Sequence, residues 1–438
     1  MAETVRKSLT LDLYDLLTGD EDARVCREIP EVACREQPRN FFIHIGSLVA
    51  SKTGDRLASP KLVLSWLFTT LGVPTFMLGL LVPIRESLSL IPQLFVAGAI
   101  RSVAVRKWFW VAGSIVQGLA VVAMAIVALL LRGAAAGWSI LALLVVFSLA
   151  RGVCSVAAKD VLGKTISKSR RGTVTGYASS VAGAITILVG VFALAAQPAE
   201  QGLVLFVSLL LIAGGLWMLA ALVFSQLEEY PGATEGGGNA ITEAVRQMRL
   251  IRDDRDLRQF LVVRTLLLST ALVAPFYVSI ASGHSGGALT QFGAMLIATG
   301  AASFLSAPAW GRMSDRSSRR VMAAAALLAA VAGFLTAGLA ETPALPYPAV
   351  AFASTYFLLN IAHAGVRVGR KTHLIDIATP ENRASYVAVS NTFIGIMLIA
   401  GGVFGGIASI AGTTVVVLLL SAISLAAAAA AWRLDEAQ

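Results

Sequence analysis

The residues best suited to chemistry lie inside apolar stretches, where polar side chains are costly. His363 follows Asn360 by three positions and precedes Arg367 by four, so the three share one face of a helix. Imidazole titrates near physiological pH and guanidinium attracts anions, which predicts proton relay or solute binding by His363 and anion attraction by Arg367. The alternative is a helix-packing hydrogen bond for His363 and a cytoplasmic anchor for Arg367.

Arg85 and Glu86 form an adjacent pair of opposite charge. The 15 residues of the stretch 87–101 would cover only about 22 Å as a helix, less than the roughly 30 Å hydrocarbon core. We therefore expect this pair below the outer surface, at the mouth of a cavity, with Glu86 as the carboxylate for proton or cation coupling. The alternative is an exposed loop pair, which would contribute little.

Other polar residues fall within the apolar stretches. Arg151 is expected near the cytoplasmic half of its span, where with Arg367 it would make the cavity positive and favour an anionic or zwitterionic solute. Intramembrane amides should face protein or a cavity, and we expect half of them to touch solute. These amides are Gln93, Gln117, Gln291 and Asn391.

Signatures of catalysis are missing from the sequence. There is no HExxH, no GxSxG and no pair of carboxylates within a span, so no enzyme activity and no cofactor are predicted. Three cysteines are too few for a disulfide framework. Cys26, Cys34 and His44 supply too few ligands for a metal site, and none is predicted.

The composition excludes a soluble globular protein. Of 438 residues, 56% are hydrophobic and only 14% charged, with a mean hydropathy of +0.75, against roughly 25% charged in soluble domains. The apolar runs have helix length and lack the alternation of an outer-membrane barrel. The net charge of +9 is typical of basic cytoplasmic loops, and no nucleic-acid partner is predicted.

Twelve apolar segments are predicted to span the lipid bilayer. They are 62–82, 88–104, 108–131, 139–156, 173–196, 203–224, 260–280, 289–310, 321–339, 350–368, 386–407 and 413–432. With the N-terminus inside, 33 of 35 Lys and Arg fall at cytoplasmic positions, and only Arg85 and Arg132 lie outside. We therefore expect a multi-pass protein of the cytoplasmic (inner) membrane with both termini in the cytoplasm.

The predicted organisation has five parts. A cytoplasmic N-terminal tail, 1–60, carries a helix at the membrane interface, because Phe41, Phe42 and Ile43 lie among charged residues. A six-helix bundle, 61–225, is joined by a cytoplasmic central loop, 226–258, to a second six-helix bundle, 259–433, and a short cytoplasmic tail, 434–438, ends the chain.

The two predicted bundles share an internal repeat. A shift of 213 residues relates Gly98 to Gly311, Arg106 to Arg319, Gly152 to Gly365, Val153 to Val366 and Arg170 to Arg383. One offset across three separate loop regions indicates duplication of a six-helix unit. Parallel repeats of this kind are a recurring plan of transporters, with the solute site between the halves.

The loop between the eighth and ninth spans reads GRMSDRSSRR, from Gly311 to Arg320. It resembles the loop signature of the major facilitator superfamily, G-x-x-[AS]-D-R-x-G-R-R, and departs from it mainly at Ser318. The resemblance implies a gating loop, in which Asp315 pairs with an arginine of the facing bundle or caps a helix. Its residues would be Gly311, Asp315, Arg316, Arg319 and Arg320, with a degenerate first-half copy at Gly98, Arg101, Arg106 and Lys107.

The predicted fold class is an all-α membrane protein of twelve helices in two pseudo-symmetric bundles, the fold of this superfamily. The resemblance implies a monomeric permease that moves a small solute, anionic, zwitterionic or drug-like, by alternating access. Coupling to protons would use His363 or Glu86. The alternative function is that of a non-transporting accessory or assembly protein of the same fold, which binds a protein partner through its N-terminal tail.

Overall fold

The computed structural model describes residues 31–91, 93, 96, 100, 102–195, 202–232, 234, 250–284, 288–342, 344–379 and 383–436, together with Leu13, Tyr14 and Leu17. Regular structure in this part of the chain is entirely helical, which confirms the all-α class. Ten of its helical stretches are long and apolar enough to cross a membrane.

The described part of the first half contains seven helices, four of which are among the ten long apolar ones. They are α1 (Glu31–Leu57), α2 (Val63–Thr70), α3 (Thr75–Leu90), α4 (Lys107–Leu130), α5 (Gly133–Thr165), α6 (Lys168–Ala195) and α7 (Gly202–Ser225). Helix α1 packs on α6 and α7, and α4 packs on α5 and α7, so one bundle encloses a common core. That core is rich in aromatic side chains, including Trp66, Phe206 and Trp217, each at most 1% exposed.

The second half repeats this arrangement. Its helices are α8 (Leu250–Asp253), α9 (Arg255–Leu266), α10 (Ser269–Leu272), α11 (Ala274–Ser282), α12 (Ala288–Ser314), α13 (Ser318–Ala340), α14 (Pro348–Asp376), α15 (Arg383–Ala400), α16 (Val403–Ala411) and α17 (Thr413–Trp432). Helix α13 packs on α14 and α17, as α4 packs on α5 and α7. Shifting the starts of α4, α5, α6 and α7 by 213 residues reproduces the starts of α13, α14, α15 and α17 to within two residues.

Two ends of the bundles can be distinguished. The basic end is formed by residues 102–106, 166–167, 226–232, 315–317 and 433–436 together with the helix ends beside them. Those helix ends carry many Lys and Arg, among them Lys107, Lys164, Lys168, Arg170, Arg171, Arg319 and Arg320. The opposite end is formed by residues 71–74, 131–132 and 412. There the two bundles are in contact: α2 and α3 pack on α11, α3 packs on α16, and α6 packs on α12.

The boundaries predicted for the first span, 62–82, are wrong. The chain turns at residues 71–74, inside the predicted span 62–82, because Gly72 adopts a φ of +67° and Pro74 begins the next helix. The predicted loop around Arg85 and Glu86 instead lies in the continuous helix α3, which runs through Pro83. The pair therefore lies on a helix of the first bundle rather than in a loop, with the Arg85 side chain 13% and the Glu86 side chain 40% exposed.

The predicted boundary of the N-terminal tail also differs from the structure. Residues 31–57 form α1, which packs against α6 and α7 as an integral helix of the first bundle. Phe41, expected at a lipid surface, is fully buried beside Ile166 and Val174. The physical reason is that α1 presents a polar stripe to its neighbours, which removes the unbroken apolar run of an ordinary span.

Candidate solute-binding site between the bundles

Asp55 lies between two arginines of the first bundle. Its Oδ1 accepts from Arg85 at 2.9 Å and its Oδ2 pairs with Arg151 at 2.6 Å. Helices α1, α3 and α5 each contribute one of the three residues. With side chains 13–30% exposed, the group is half-buried, and one carboxylate compensates two guanidinium groups.

Aromatic rings support both guanidinium groups of this trio. The Arg85 guanidinium lies 4.9 Å from the ring centroid of Phe147, and that of Arg151 lies 5.4 Å from Trp217. Cation–π contacts of this kind are worth about 0.5–2 kcal/mol each. They fix the planes of the guanidinium groups, so the trio is a preorganised part of the interior.

A second polar group connects the two bundles. The Lys61 ammonium, in the break between α1 and α2, is 3.7 Å from a carboxylate oxygen of Glu86 and 2.9 Å from Nε2 of His363 on α14. Nδ1 of His363 is 3.1 Å from the hydroxyl of Thr270 on α10. Since an ammonium only donates, Nε2 is the acceptor and Nδ1–H donates to Thr270.

Five interior cations have no carboxylate within 4.0 Å among the described residues. They are Lys52, Arg56, Arg264, Arg367 and Arg370. Lys52 donates to the Ser179 hydroxyl at 2.5 Å and Arg56 to the Thr186 hydroxyl at 3.3 Å, both on α6. Arg367 of the other bundle repels both Lys52 and Arg56 electrostatically. The space between the bundles is therefore strongly positive.

Arg264 is the most deeply buried of these cations, at 6% exposed. It donates to the hydroxyl of Ser390 and, at 3.0 Å, to Oδ1 of Asn391, both on α15. Its Nε has no hydrogen-bond partner in the described part of the chain. The charged residue that acts on Arg264 is Arg370, whose positive charge repels the Arg264 guanidinium rather than compensating it.

The remaining predicted polar residues separate into cavity and packing positions. Asn360 donates to the carbonyl of Tyr356 on its own helix, and Gln93 similarly donates to the carbonyl of Ser89. Gln117 is fully buried between α4 and α5, where it donates to the sulfur of Cys154 at 3.2 Å. These contacts leave the expected role of the amides in solute binding a prediction.

Two further predicted amides also have protein partners. Gln291 is 1% exposed and donates to the carbonyl of His284, near the opposite end. Asn391 accepts from Arg264 and so belongs to the environment of a buried cation.

The first-half copy of the predicted gating loop is held by one buried glutamate. Glu229, whose side chain is 0% exposed, accepts from the backbone N–H groups of Arg106 at 2.8 Å and Lys107 at 2.6 Å, and pairs with Lys164 at 2.9 Å. Arg106 also pairs with Asp160 at 2.5 Å. The start of α4 is thus tied to the segment that follows α7. Gly98 and Arg101 lie outside the described residues.

The second-half copy has a corresponding attachment. Arg319 pairs with Glu436 at 2.5 Å and donates to the carbonyl of Leu434 at 2.8 Å. A hydrogen bond from Ser317, together with the pairing with Arg319, holds the pKa of Glu436 below its usual value although burial opposes this. Glu229 and Glu436 each lie four residues beyond the end of a bundle's last helix, so both bundles use the same device.

The helix-capping alternative for Asp315 is not what the structure shows at α13. The N-cap of α13 is Ser317, whose hydroxyl accepts from the N–H of Arg320 at 3.3 Å. Asp315 lies two residues earlier, in the turn that follows α12, and its N–H donates to the carbonyl of Gly311 at 3.1 Å. Arg316 is exposed in the same turn. The gating role of these residues remains a prediction.

Replacing Glu229 with Gln is expected to destabilise the protein by about 2 kcal/mol, because hydrogen bonds to a charged group contribute roughly 1.5–3 kcal/mol. Thermal unfolding of the purified protein in detergent measures this loss. The control is Glu228→Gln: that neighbouring carboxylate is 50% exposed and pairs with Arg39 at the surface, where such pairs contribute about 0–1 kcal/mol. Equal melting temperatures for the two variants would contradict the attachment.

Sequence reasoning missed several residues of this site: Lys52, Asp55, Arg56, Lys61, Arg264, Thr270 and Arg370. Lys52, Asp55 and Arg56 lie on α1, in the stretch predicted to be the tail, and Lys61 lies in the break after it. The repeat contained a usable signal, because shifting the span Arg255–Ser282 back by 213 residues predicts a first span at 42–69.

The architecture described above defines a multi-pass membrane protein whose two homologous bundles enclose a charged interior. A family model described as Major Facilitator Superfamily matches residues 259–438. This sequence match covers the second half of the chain, and solved transporter structures share the fold over both halves.

Solved structures share this fold at low sequence identity. A mutant of the nucleoside transporter NupG has a TM-score of 0.69 at 15% identity, covering 90% of this chain and 100% of that chain. A POT family transporter in complex with 5-aminolevulinic acid has a TM-score of 0.67 at 9% identity, covering 89% and 95%. The inward-open xylose transporter XylE from E. coli has a TM-score of 0.65 at 12% identity, covering 91% and 96%. No curated protein matches the chain by sequence.

Proposed function

We propose that this protein is a carrier that moves a small anionic solute across the cytoplasmic membrane by alternating access. The observation that carries the proposal is the excess of cations between the bundles. Asp55 and Glu86 compensate some of the charge there, whereas five Lys and Arg side chains have no carboxylate within 4.0 Å among the described residues. Desolvated cations attract anions strongly, and cationic clefts raise the local concentration of an anionic solute.

The fold supports transport as the use of this charge. The solved structures of the same fold are named as a nucleoside transporter, a POT family transporter and a xylose transporter, and solute sites of such repeats lie between the halves near the midplane. The contact of Lys61 in the first bundle with His363 in the second supports a solute site at that position. The basic end carries nearly all the Lys and Arg outside the interior, which favours a cytoplasmic location for that end and both termini.

The experiment is a thermal-stability screen of the purified full-length protein against anions, zwitterions and neutral solutes. A ligand that binds the native state raises stability in proportion to RT ln(1 + [L]/Kd). Proteoliposome uptake then tests each ligand found. Stabilisation and uptake by anions are expected, and a protein that binds and moves only neutral solutes would overturn the proposal.

Proton coupling is proposed to act through the Lys61–His363 contact. Lys61 belongs to the first bundle and His363 to the second, so their 2.9 Å contact joins the two moving bodies. The contact needs an unprotonated Nε2 on His363. A proton on that nitrogen would place two cations against each other, with Arg367 and Arg370 on the same helix adding to the repulsion and Glu86 opposing it. Proton arrival would then separate the bundles.

Replacing His363 with Gln is expected to abolish solute accumulation driven by a pH gradient, while solute exchange without a gradient is retained. The reason is that an amide can accept from Lys61 but does not take up a proton in this range. His284→Gln is the matched control, because His284 lies near the opposite end, just after α11, and contacts the carbonyl of Ile280 in that helix. Unchanged gradient-driven accumulation in the His363 variant would exclude this coupling.

The accessory alternative now rests on a shorter segment. Residues 31–57 build the first bundle, so deletion of residues 1–56 would remove an integral helix and could not test a tail. Deletion of residues 1–30 is the appropriate test. Tyr14 accepts from Gln37 at 2.7 Å and packs edge-on against Phe41, so part of this segment docks on α1. Retained uptake by the truncated protein is expected, whereas loss of all function with the bundles intact would favour the accessory role.

A further inference from the structure

The uncompensated cations are divided between the two bundles. Lys52 and Arg56 lie one helical turn apart on α1, and both point across to α6 groups rather than to a carboxylate. Arg367 and Arg370 lie three residues apart on α14, in the second bundle. Each bundle therefore presents its own positive pair to the space between them.

The two pairs face each other closely enough to interact. The 2.9 Å contact between Lys61 and His363, one helical turn before Arg367, brings α14 against the break after α1. Arg367 repels Lys52 and Arg56, whereas Arg370 repels Lys61 and attracts Glu86. Two like charges 4 Å apart repel by about 4 kcal/mol at an effective dielectric constant of 20. Any movement that closes the bundles around a solute must therefore bring like charges together.

Arg264 shows independently that positive charge in the second bundle is left without a counter-ion. It is a nine-tenths-buried cation whose Nε has no hydrogen-bond partner in the described part of the chain, and its charged neighbour is Arg370. A buried cation without a counter-ion is costly, by several kcal/mol. An anionic ligand beside Arg370 would lower that cost.

A ligand with one negative charge can compensate only one of the two sets. With a monoanion on Arg56, the pair on α14 stays uncompensated, and closure is still opposed by repulsion. A ligand with two negative charges can contact both sets at once and turns the repulsion between bundles into two attractions. The bound state of such a ligand is also the state in which the bundles are drawn together.

We propose that the solute is a divalent anion that bridges the bundles, with Lys52 and Arg56 binding one charge and Arg367 and Arg370 the other. This inference rests on the proposed function, anion transport, and specifies its substrate class. A dicarboxylate or a phosphate monoester has the required chemistry, since guanidinium groups bind carboxylate and phosphate in the same bidentate manner.

The test compares ligands that differ by one charge at nearly constant size. Succinate is paired with succinamate, and methyl phosphate with dimethyl phosphate, at a pH at which every acidic group is ionised. Half-saturation is measured by thermal shift of the full-length protein in detergent, and uptake by proteoliposomes. The dianion of at least one pair is expected to half-saturate at a concentration at least 10-fold lower than its partner, and the pair concerned distinguishes a dicarboxylate from a phosphate ester.

Variants locate the two contacts. Arg56→Gln and Arg367→Gln should each reduce the dianion preference to less than 3-fold, because each removes one of the two contacts that only a dianion makes together. Neither should lower the melting temperature of the unliganded protein, because each removes an uncompensated cation. Arg35→Gln is the matched control on the same helix as Arg56, since Arg35 is 78% exposed and pairs with Glu31 at the surface.

The outcomes separate this inference from the proposed function. Anions that bind and are transported without any preference for the dianion would overturn the bridge and leave anion transport standing. A preference that survives both Arg56→Gln and Arg367→Gln would also overturn it. Binding of neutral solutes alone would overturn the proposed function, and the bridge with it.

Discussion

Replacing Asp55 with Asn is expected to destabilise the protein by about 3 kcal/mol and to reduce solute uptake at least 10-fold. Asp55 is the shared counter-ion of Arg85 and Arg151, at 2.9 and 2.6 Å. Removing one partner of a buried ion pair costs about 3–5 kcal/mol because the other charge stays buried and unpaired. The Asp55 side chain is 21% exposed, and water reaching it places the expected loss at the low end of that range.

The measurement combines thermal unfolding in detergent with proteoliposome uptake. The double variant Asp55→Asn, Arg151→Gln should recover part of the lost stability, because only Arg85 then lacks a counter-ion. The exposed carboxylate of Glu31, on the same helix and 83% exposed, provides the matched control: Glu31→Gln should melt with the unsubstituted protein. A double variant no more stable than Asp55→Asn would show that the loss does not come from uncompensated charge.

Asp55 also shows why the first helix was hard to predict. Helix α1 places polar residues at intervals of three or four positions: Asn40, His44, Ser47, Ser51 and Asp55. The first four are at most 2% exposed, so the stripe faces protein rather than lipid. Hydropathy averages over all faces of a helix, and a span with a buried polar face therefore resembles a surface segment.

The same reasoning explains which parts of the site were predictable. His363, Arg367 and Arg151 interrupt long apolar runs, so their chemistry stands out in the sequence. Lys61 and Thr270 do not. Lys61 lies in the break between α1 and α2, and Thr270 lies in the short helix α10, just after the end of α9. Their importance comes from contact with His363, which is 302 and 93 residues away in the sequence. No local sequence pattern predicts contacts between residues so far apart.

The repeat predicted more of the fold than the hydropathy of single segments. Its offset reproduces the starts of four helices to within two residues, because duplicated bundles keep the lengths that fit one bilayer. It does not predict charge. Asp160, which pairs with Arg106, corresponds to His373, which is instead hydrogen-bonded to Ser318. The halves share their architecture, while their polar contacts have diverged.

The second large effect is expected at the glycine contact between α3 and α16. A Cβ built on Gly405 would lie 2.1 Å from the carbonyl oxygen of Phe76, and one built on Gly79 would lie 2.4 Å from the Cα of Gly405. Both clashes are with backbone, which cannot rotate away. This contact joins the two bundles at the opposite end, so a larger residue here must push the bundles apart.

Replacing Gly405 with Val is therefore expected to shift the population towards a state open at the opposite end and to lower uptake at least 10-fold. The opening is measured by labelling a cysteine with a membrane-impermeant maleimide added from that end, after Cys26, Cys34 and Cys154 have been replaced by Ser. Leu272→Cys is a suitable reporter, because Leu272 is 6% exposed and lies against Gly401 in the same contact region. Its labelling rate should rise at least 10-fold.

Gly406→Val is the control for this experiment, because a Cβ at Gly406 meets nothing within 4 Å. The two variants add the same three carbons at adjacent positions of one helix, and both accept the same loss of backbone freedom. Only Gly405→Val places those carbons between the bundles. If both variants label and transport alike, the glycines of α16 serve the packing of a static helix; a difference confined to Gly405 shows that this contact must open and close during transport.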